Sequence, residues 1–253
     1  TMELTNCTAL VTGANRGSDA AFVTALLESG ASKVYAACRN PGTCDLEFDG
    51  GNPCIELVTL DVTEPQSIHE LAAVCGDVQL LVNNAGLSTG ETLLNATDVS
   101  AARREMEVNY FGPLQMSRAF APILKRNGGG AIVNVLSAAA IVSVPNMGGY
   151  SPSKFAARAM GIALRAELVD QNTQVQNLIV GSIDTRMAAH VQGKKEPPAT
   201  VAKAGLKAVR NNIPEVDTDA FAVNVRAAQA RDPARLERQM AAALKLDVLS
   251  TGR

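Results

Sequence analysis

The segment Cys7-Thr8-Ala9-Leu10-Val11-Thr12-Gly13-Ala14-Asn15-Arg16-Gly17-Ser18-Asp19 decides the fold predicted for this chain. Its first six residues are apolar or β-branched and predict a buried strand, and residues 20–29 predict a helix that ends at Gly30. A glycine-rich turn between a first strand and a first helix is where doubly wound α/β folds bind a nucleotide pyrophosphate. The segment therefore predicts a nucleotide-binding α/β fold.

The alternation of strand and helix continues along the chain. Further strands are predicted at residues 33–38, 55–60, 79–82, 131–136 and 174–180, with a weak extended stretch near 213–216. A long helix is predicted over residues 99–125 with a kink at Gly112-Pro113, and another over 150–169. Strands buried on both faces and joined by helices predict a doubly wound, Rossmann-like parallel sheet with three α/β/α layers. We expect a single domain over residues 1–253.

Composition excludes several classes of protein. Apolar residues make up 47% of the 253 residues and the net charge is −2, which fits a globular core and argues against nucleic-acid binding through bulk charge. No apolar run approaches the roughly 18–20 residues of a membrane span, and the first residues show no signal pattern, so the expected compartment is the cytoplasm. The five cysteines show no CxxC spacing and are predicted to be free thiols, and no metal site is expected.

The glycine-rich turn resembles the Thr-Gly-x-x-x-Gly-x-Gly turn of the short-chain dehydrogenase/reductase family. Gly13 and Gly17 match, but Asp19 replaces the third glycine and Ser18 replaces the usual apolar residue. A carboxylate about 5 Å from a pyrophosphate costs about 3 kcal/mol at an effective dielectric near 20, roughly a hundredfold in affinity. Alternatively, Asp19 turns outward and stabilises the start of the helix, where a negative charge is favourable.

Other segments resemble the cofactor-binding parts of the family. Arg39 follows the second strand where an acidic residue would hold a ribose hydroxyl, and with Arg16 it suits a 2′-phosphate, which favours NADP(H) over NAD(H). The alternative for Arg39 is a solvated loop charge. Residues 61–62, 83–86 and 180–185 resemble the adenine-contacting pair, the Asn-Asn-Ala-Gly segment and the nicotinamide-side loop. The resemblance implies cofactor contacts from Gly13, Asn15, Arg16, Gly17, Ser18, Arg39, Asp61, Val62, Asn83, Ala85, Gly86, Lys154, Gly181, Ile183 and Thr185.

A tyrosine and a lysine four residues apart are the candidate catalytic pair. Tyr150 and Lys154 lie one turn apart on a predicted helix, and the lysine is expected to lower the pKa of the phenol from about 10. Such a phenol exchanges a proton with a substrate oxygen. With Asn109 and Ser137, the pair matches the Asn-Ser-Tyr-Lys tetrad of the family. The resemblance implies that Tyr150 is the acid/base, Ser137 polarises the substrate oxygen, Lys154 tunes Tyr150 and holds the nicotinamide ribose, and Asn109 holds a relay water.

The surroundings of this site indicate the kind of substrate and partner. Residues 87–94, 138–144 and 187–198 flank the expected cleft and are mostly apolar, which favours a hydrophobic small molecule. Residues 186–212 are predicted to form a substrate lid. Family members commonly pair through the helix of Tyr150 and the long helix before it, so the resemblance implies a homodimer or homotetramer.

Three functions are compatible with these residues. The first is an NADP(H)-dependent oxidoreductase that interconverts a carbonyl and an alcohol, with Tyr150 as general acid/base. The second, favoured by Asp19, is an enzyme that keeps the acid/base residues but catalyses cyclisation, dehydration, isomerisation or epoxide opening without redox chemistry. The third is a non-catalytic binding or regulatory protein, which predicts a loss of tetrad residues that the sequence does not show.

Overall fold

Seven parallel strands form one sheet between two layers of helices in a computed structural model that describes residues 1–14, 18–43, 52–181, 183 and 195–250. Of residues 18, 19, 43 and 243–250 the backbone alone is described. The strands are β1 (Thr8–Thr12), β2 (Lys33–Cys38), β3 (Ile55–Thr59), β4 (Leu80–Asn83), β5 (Gly130–Val135), β6 (Thr173–Ile179) and β7 (Glu215–Asp217). Their order is β3-β2-β1-β4-β5-β6-β7. The predicted doubly wound, Rossmann-like sheet is confirmed, and the weak extended stretch is its edge strand β7.

The helices cover both faces of the sheet. They are α1 (Ser18–Glu28), α2 (Pro65–Val74), α3 (Ser100–Met106), α4 (Gly112–Arg126), α5 (Tyr150–Glu167), α6 (Pro198–Asn211), α7 (Ala220–Arg231) and α8 (Pro233–Ser250). One core cluster lies between the sheet and α1 and α6, a second between the sheet and α2, α4 and α5, and a smaller third one packs against α7 and α8. Burial of these apolar clusters is the main force that holds the strands in place. Within the described residues, no helix has both the length and the apolar character needed to cross a bilayer.

The long helix predicted over residues 99–125 is interrupted. A single π-helical segment, Glu107–Phe111, separates α3 from α4 and ends where the kink at Gly112-Pro113 was expected. The hydrogen bonds of the π segment span five residues, one more than in an α-helix, and Asn109 within it is buried. Such segments occur frequently at functional sites, and this one carries a tetrad residue.

Helix α6 lies within the predicted lid over residues 186–212. The face of α6 that includes Val201, Leu206 and Val209 is buried in the same core as Phe22 of α1. Opening α6 as part of a lid would expose this apolar surface to water, and the lid stays a prediction. Residues 184–194 of the predicted lid lie outside the described residues.

Three buried asparagines form a ladder across β4, β5 and β6. Asn83 Nδ2 donates to Asn134 Oδ1 at 3.0 Å, and Asn134 Nδ2 donates to Asn177 Oδ1 at 3.2 Å. Asn177 Nδ2 then donates to the carbonyl oxygen of Arg158 in α5 at 3.2 Å. The ladder ties the strands that carry the candidate site to one another and to α5.

Replacing Asn134 by alanine is expected to lower the free energy of unfolding by about 3 kcal/mol, because Asn177 Oδ1 and part of Asn83 would be left buried without a partner. Urea unfolding measures this loss. Asn95→Ala, at an exposed position, is the control and should change stability by less than about 0.5 kcal/mol. A loss below about 1 kcal/mol for Asn134→Ala would contradict a stabilising role of the ladder.

Candidate active site

The carboxyl ends of β1 and β4 meet where the sheet changes its winding direction. Thr12 Oγ1 accepts the backbone N–H groups of Asn84 at 3.0 Å and Ala85 at 3.1 Å, which joins the glycine-rich turn to the loop after β4. Gly13 has a φ of +75°, and a Cβ there would lie 2.8 Å from Ala85 Cα, so this position requires glycine. This crevice is the position at which open α/β sheets bind ligands. Asn15, Arg16 and Gly17 of the predicted turn lie outside the described residues.

Asn109 fixes the loop after β4. Its Nδ2 donates to the carbonyl oxygen of Leu87 at 2.8 Å and to Ser153 Oγ at 2.9 Å, and its Oδ1 accepts the Leu87 N–H at 2.8 Å. A Cβ on Gly86 would lie 3.6 Å from Asn109 Oδ1 and 3.8 Å from Lys154 Nζ. Asn109 and Lys154 therefore both lie next to Gly86. That Asn109 holds a water for proton relay stays a prediction.

Ser137, Tyr150 and Lys154 converge at the carboxyl end of β5. Ser137 begins a short 3-10 turn, where its Oγ accepts the Ala139 N–H at 3.1 Å, and its hydroxyl is hydrogen bonded to Tyr150. Lys154 Nζ donates to the carbonyl oxygen of Val135 at 3.0 Å and lies 5.6 Å from the centroid of the Tyr150 ring. Three of the four predicted tetrad residues thus share one small volume, with Asn109 next to it.

Burial dominates the proton equilibria of this site. It raises the pKa of Tyr150 to about 12, which the hydrogen bond from Ser137 opposes and the Glu105 carboxylate reinforces. Burial also lowers the pKa of Lys154 to about 8. The expectation that the pKa of Tyr150 lies below 10 is wrong for this arrangement, because desolvation disfavours the phenolate.

Several residues predicted to contact the cofactor use their side chains for contacts within the protein. Asp61 Oδ1 accepts the Thr63 N–H at 2.9 Å and the Thr63 hydroxyl at 2.7 Å, and Val62 is buried against α4. The Asn83 amide belongs to the asparagine ladder. Arg39 is exposed at the end of β2, where its side chain is accessible to a ligand.

The N-terminal end of α7 fixes the loop after β6. The Gly181 N–H donates to Asp219 Oδ2 at 2.6 Å, and Asp219 Oδ1 accepts the Ala222 N–H at 3.0 Å as the N-cap of α7. A side chain on Gly181 would collide with Asp219. Ile183 forms one parallel bridge with Glu196, and Thr185 lies outside the described residues.

The predicted apolar walls of the cleft differ in their exposure. Residues 138–142 are buried, and all of them except Ala139 belong to the third core cluster with α7 and α8, whereas Ser143 is exposed and Val144 half-buried. That residues 138–144 line a substrate pocket stays a prediction. Leu93 and Leu94, in the loop after β4, are 68% and 94% exposed. Of the third predicted wall, 187–198, residues 187–194 lie outside the described residues. Among the described residues of the three walls, Leu93 and Leu94 are the large apolar side chains that are exposed.

Sequence reasoning missed three residues that shape this site. Ser153 supports Asn109, Asp219 supports Gly181, and Glu105 lies buried beside Tyr150. An aspartate directly before a helix is a common N-cap, which was the available signal for Asp219. Glu105 stands four residues before Asn109, a spacing that places both on one face of a helix.

The fold and the converging Ser137, Tyr150 and Lys154 side chains define a nucleotide-binding α/β protein with an acid/base site at the end of its sheet. Residues 7–196 match the family model for short chain dehydrogenase. The chain therefore belongs to the short-chain dehydrogenase family, a family of oxidoreductases.

Individual relatives agree with this assignment. A short-chain dehydrogenase from Burkholderia cenocepacia, whose crystal structure is a complex with NADP, is 41% identical and superposes with a TM-score of 0.89 over 94% of this chain and 99% of that one. The 3-ketodihydrosphingosine reductase of Bacteroides thetaiotaomicron is 28% identical over 79% of this chain and 74% of its own. The mouse dehydrogenase/reductase SDR family member 7B is 36% identical over 53% of this chain and 42% of its own, so this chain spans less than half of that relative.

Proposed function

We propose that this protein is an NADP(H)-dependent oxidoreductase that interconverts a carbonyl and an alcohol on a hydrophobic small molecule. The observation that carries the proposal is the convergence of Ser137, Tyr150 and Lys154 at the end of β5, beside the crevice at Gly13 and Gly86. The NADP bound to the Burkholderia relative and the keto substrate named for the Bacteroides reductase support it.

The residues of the crevice suit a dinucleotide. The close approach of Gly13 to Ala85 leaves no room for a side chain there, and Gly86 keeps open the space beside Lys154 Nζ. Lys154 Nζ has donors beyond the one that it gives to Val135, and these would bind ribose hydroxyls. Arg39 would bind a 2′-phosphate. When bound, the dinucleotide supplies or accepts the hydride.

The residues of this chain would handle the proton. Tyr150, with its pKa at about 12, holds its proton at neutral pH and would donate it to the oxygen of a carbonyl substrate. Ser137 would turn its single hydroxyl proton from Tyr150 to the same oxygen and stabilise its developing charge. Burial of Tyr150 and Lys154 excludes water that would compete for these hydrogen bonds. At neutral pH the phenol is therefore in the protonation state that carbonyl reduction requires.

The apolar loop after β4 supports a hydrophobic substrate. Leu93 and Leu94 expose large apolar side chains, and Thr89 of the same loop is anchored to Glu105 beside Tyr150. A ligand with an apolar body would cover these leucines while its oxygen reaches Tyr150.

A non-redox acid/base reaction is the second candidate, and Asp19 favours it. The backbone of Asp19 belongs to the first turn of α1, the helix that follows the glycine-rich turn. Whether the dinucleotide binds in the presence of the Asp19 carboxylate therefore distinguishes the two candidate functions.

We expect the unmodified protein to bind NADPH more tightly than NADH, and Asp19→Gly to bind NADPH roughly 100-fold more tightly, because one repulsive charge is removed. Isothermal titration of both proteins with both dinucleotides measures this. Asp19→Asn is the matched control, since it removes the charge and keeps the size of the side chain. Binding of NADPH only after glycine is restored would support the non-redox candidate instead.

Self-association is part of the proposal. Phe111 in the π segment, and Phe155 and Ile162 in α5, are exposed apolar side chains on the elements through which the family commonly pairs. Covering them in a homodimer or homotetramer would remove this apolar area from water.

A further inference from the structure

Glu105 in α3 is a buried carboxylate that the proposed reaction does not yet use. It is 1% exposed, and its Oε1 accepts the Thr89 N–H at 2.7 Å and the Thr89 hydroxyl at 3.0 Å. Its Oε2 is buried and accepts no hydrogen bond from the described residues. Burying a carboxylate with half of its acceptor capacity unused costs free energy, so stability does not account for its presence.

Three segments meet at this carboxylate. Thr89 belongs to the loop after β4, Glu105 to α3, and Gly149 stands directly before Tyr150 at the start of α5. Any side chain on Gly149 would collide with Glu105 Oε2 and with the backbone of Ala102. Gly148 N–H also donates to the carbonyl oxygen of Glu91, at 2.9 Å. Glu105 thus joins the apolar loop to the turn that orients Tyr150.

The charge of Glu105 acts on Tyr150. Among the described residues, the groups that act on the phenol are Glu105 from α3, Lys154 from α5 and the Ser137 hydroxyl from the segment after β5. The Glu105 carboxylate raises the pKa of Tyr150, in the same direction as burial and against the hydrogen bond from Ser137. A negative charge in a desolvated setting acts over several ångströms with little screening.

We propose that Glu105 is a positioning residue that ties the substrate-side loop to the start of α5 and that its charge acts on the Tyr150 phenol from there. Its effect on catalysis rests on the proposed reduction, whereas its effect on the Tyr150 proton does not. Glu105→Gln separates the two parts, because an amide oxygen still accepts from Thr89 but carries no charge.

The decisive measurement is the titration of Tyr150 itself. The chain has three tyrosines, so ¹³C-tyrosine NMR resolves them and Tyr150→Phe assigns the signal. In Glu105→Gln we expect the titration midpoint of Tyr150 to fall by about one pH unit from its value near 12. The alkaline limb of kcat/KM for reduction should fall by the same amount. Glu107→Gln, an exposed glutamate two residues away, is the matched control and should move neither.

Hydrogen exchange tests the tie between the segments. Protection of the Thr89 amide should persist in Glu105→Gln and be lost in Glu105→Leu, whose KM for the carbonyl substrate should rise. An unchanged Tyr150 midpoint in a folded Glu105→Gln protein would overturn the proposal. If the midpoint falls and no carbonyl is reduced by the unmodified protein, the role of Glu105 stands and the proposed function fails.

Discussion

Tyr150→Phe is expected to lower kcat/KM for carbonyl reduction by about 1000-fold, because the ring keeps its place while the proton donor is lost. The phenylalanine ring fills the same buried space, so the fold and NADPH affinity should stay close to those of the unmodified protein. Steady-state kinetics with a panel of hydrophobic ketones, followed through NADPH absorbance, measure the loss.

Tyr110→Phe is the matched control for this substitution. Tyr110 lies in the π segment, only partly buried, and its ring packs edge-on against Phe111. Its hydroxyl has no part in the proposed reaction, so its removal should leave kcat/KM within about twofold. If Tyr150→Phe kept more than a tenth of the activity, the assignment of Tyr150 as proton donor would be wrong under both enzymatic candidates.

Lys154→Met is expected to change activity and stability in opposite directions. Activity should fall about 100-fold, since the ammonium that would bind the ribose and act on the phenol is removed. Stability at neutral pH should rise by about 2 kcal/mol, because burial lowers the pKa of Lys154 from 10.5 to about 8 and a charged form there is costly. Urea unfolding and NADPH-linked kinetics on one preparation measure both effects.

The pH dependence of stability gives a sharper form of the same prediction. Between pH about 8 and 10.5 the unfolded chain holds a proton on Lys154 that the folded protein does not, so Lys154 contributes a rise of folding stability with pH in this window. Cys7, Cys75 and Tyr150 act in the opposite sense, because burial raises the pKa of each, so that the thiols make stability fall above about pH 9 and the phenol above about pH 10. Between pH 8 and 10.5, Lys154→Met should therefore lose stability more steeply with pH than the unmodified protein, while Lys125→Met, at an exposed position, should leave the pH profile unchanged. The same pH profile in Lys154→Met and in the unmodified protein would contradict the assignment.

The fold was largely predictable because its signals are local. Buried parallel strands are continuous apolar runs, and the glycine-rich turn marks the first crossover, so the sheet and most helices follow from the sequence. The pairing of Tyr150 with Lys154 followed from helical spacing. In each case the information lies within a few residues along the chain.

Most of the features that could not be predicted from the sequence depend on contacts between distant segments. The asparagine ladder joins residues about 40 to 50 positions apart, and no local pattern reveals that their amides point at one another. The pKa of Tyr150 was predicted in the wrong direction because depth of burial, which spacing does not encode, outweighs a lysine one turn away. The π segment escaped prediction because the local signals, Gly112 and Pro113, indicated a kink and no residue type marks a wider helical turn.

The length of the π segment has an evolutionary consequence. Each residue of an α-helix turns the chain by about 100°. Deleting one residue from Glu107–Phe111 would therefore rotate either Asn109 away from the candidate site or the buried face of α4 away from the sheet. Substitutions within the segment leave this angle intact, whereas a change in its length does not. We therefore expect alignments of homologous chains to show freely varying residue types at the exposed positions of this segment and no gaps.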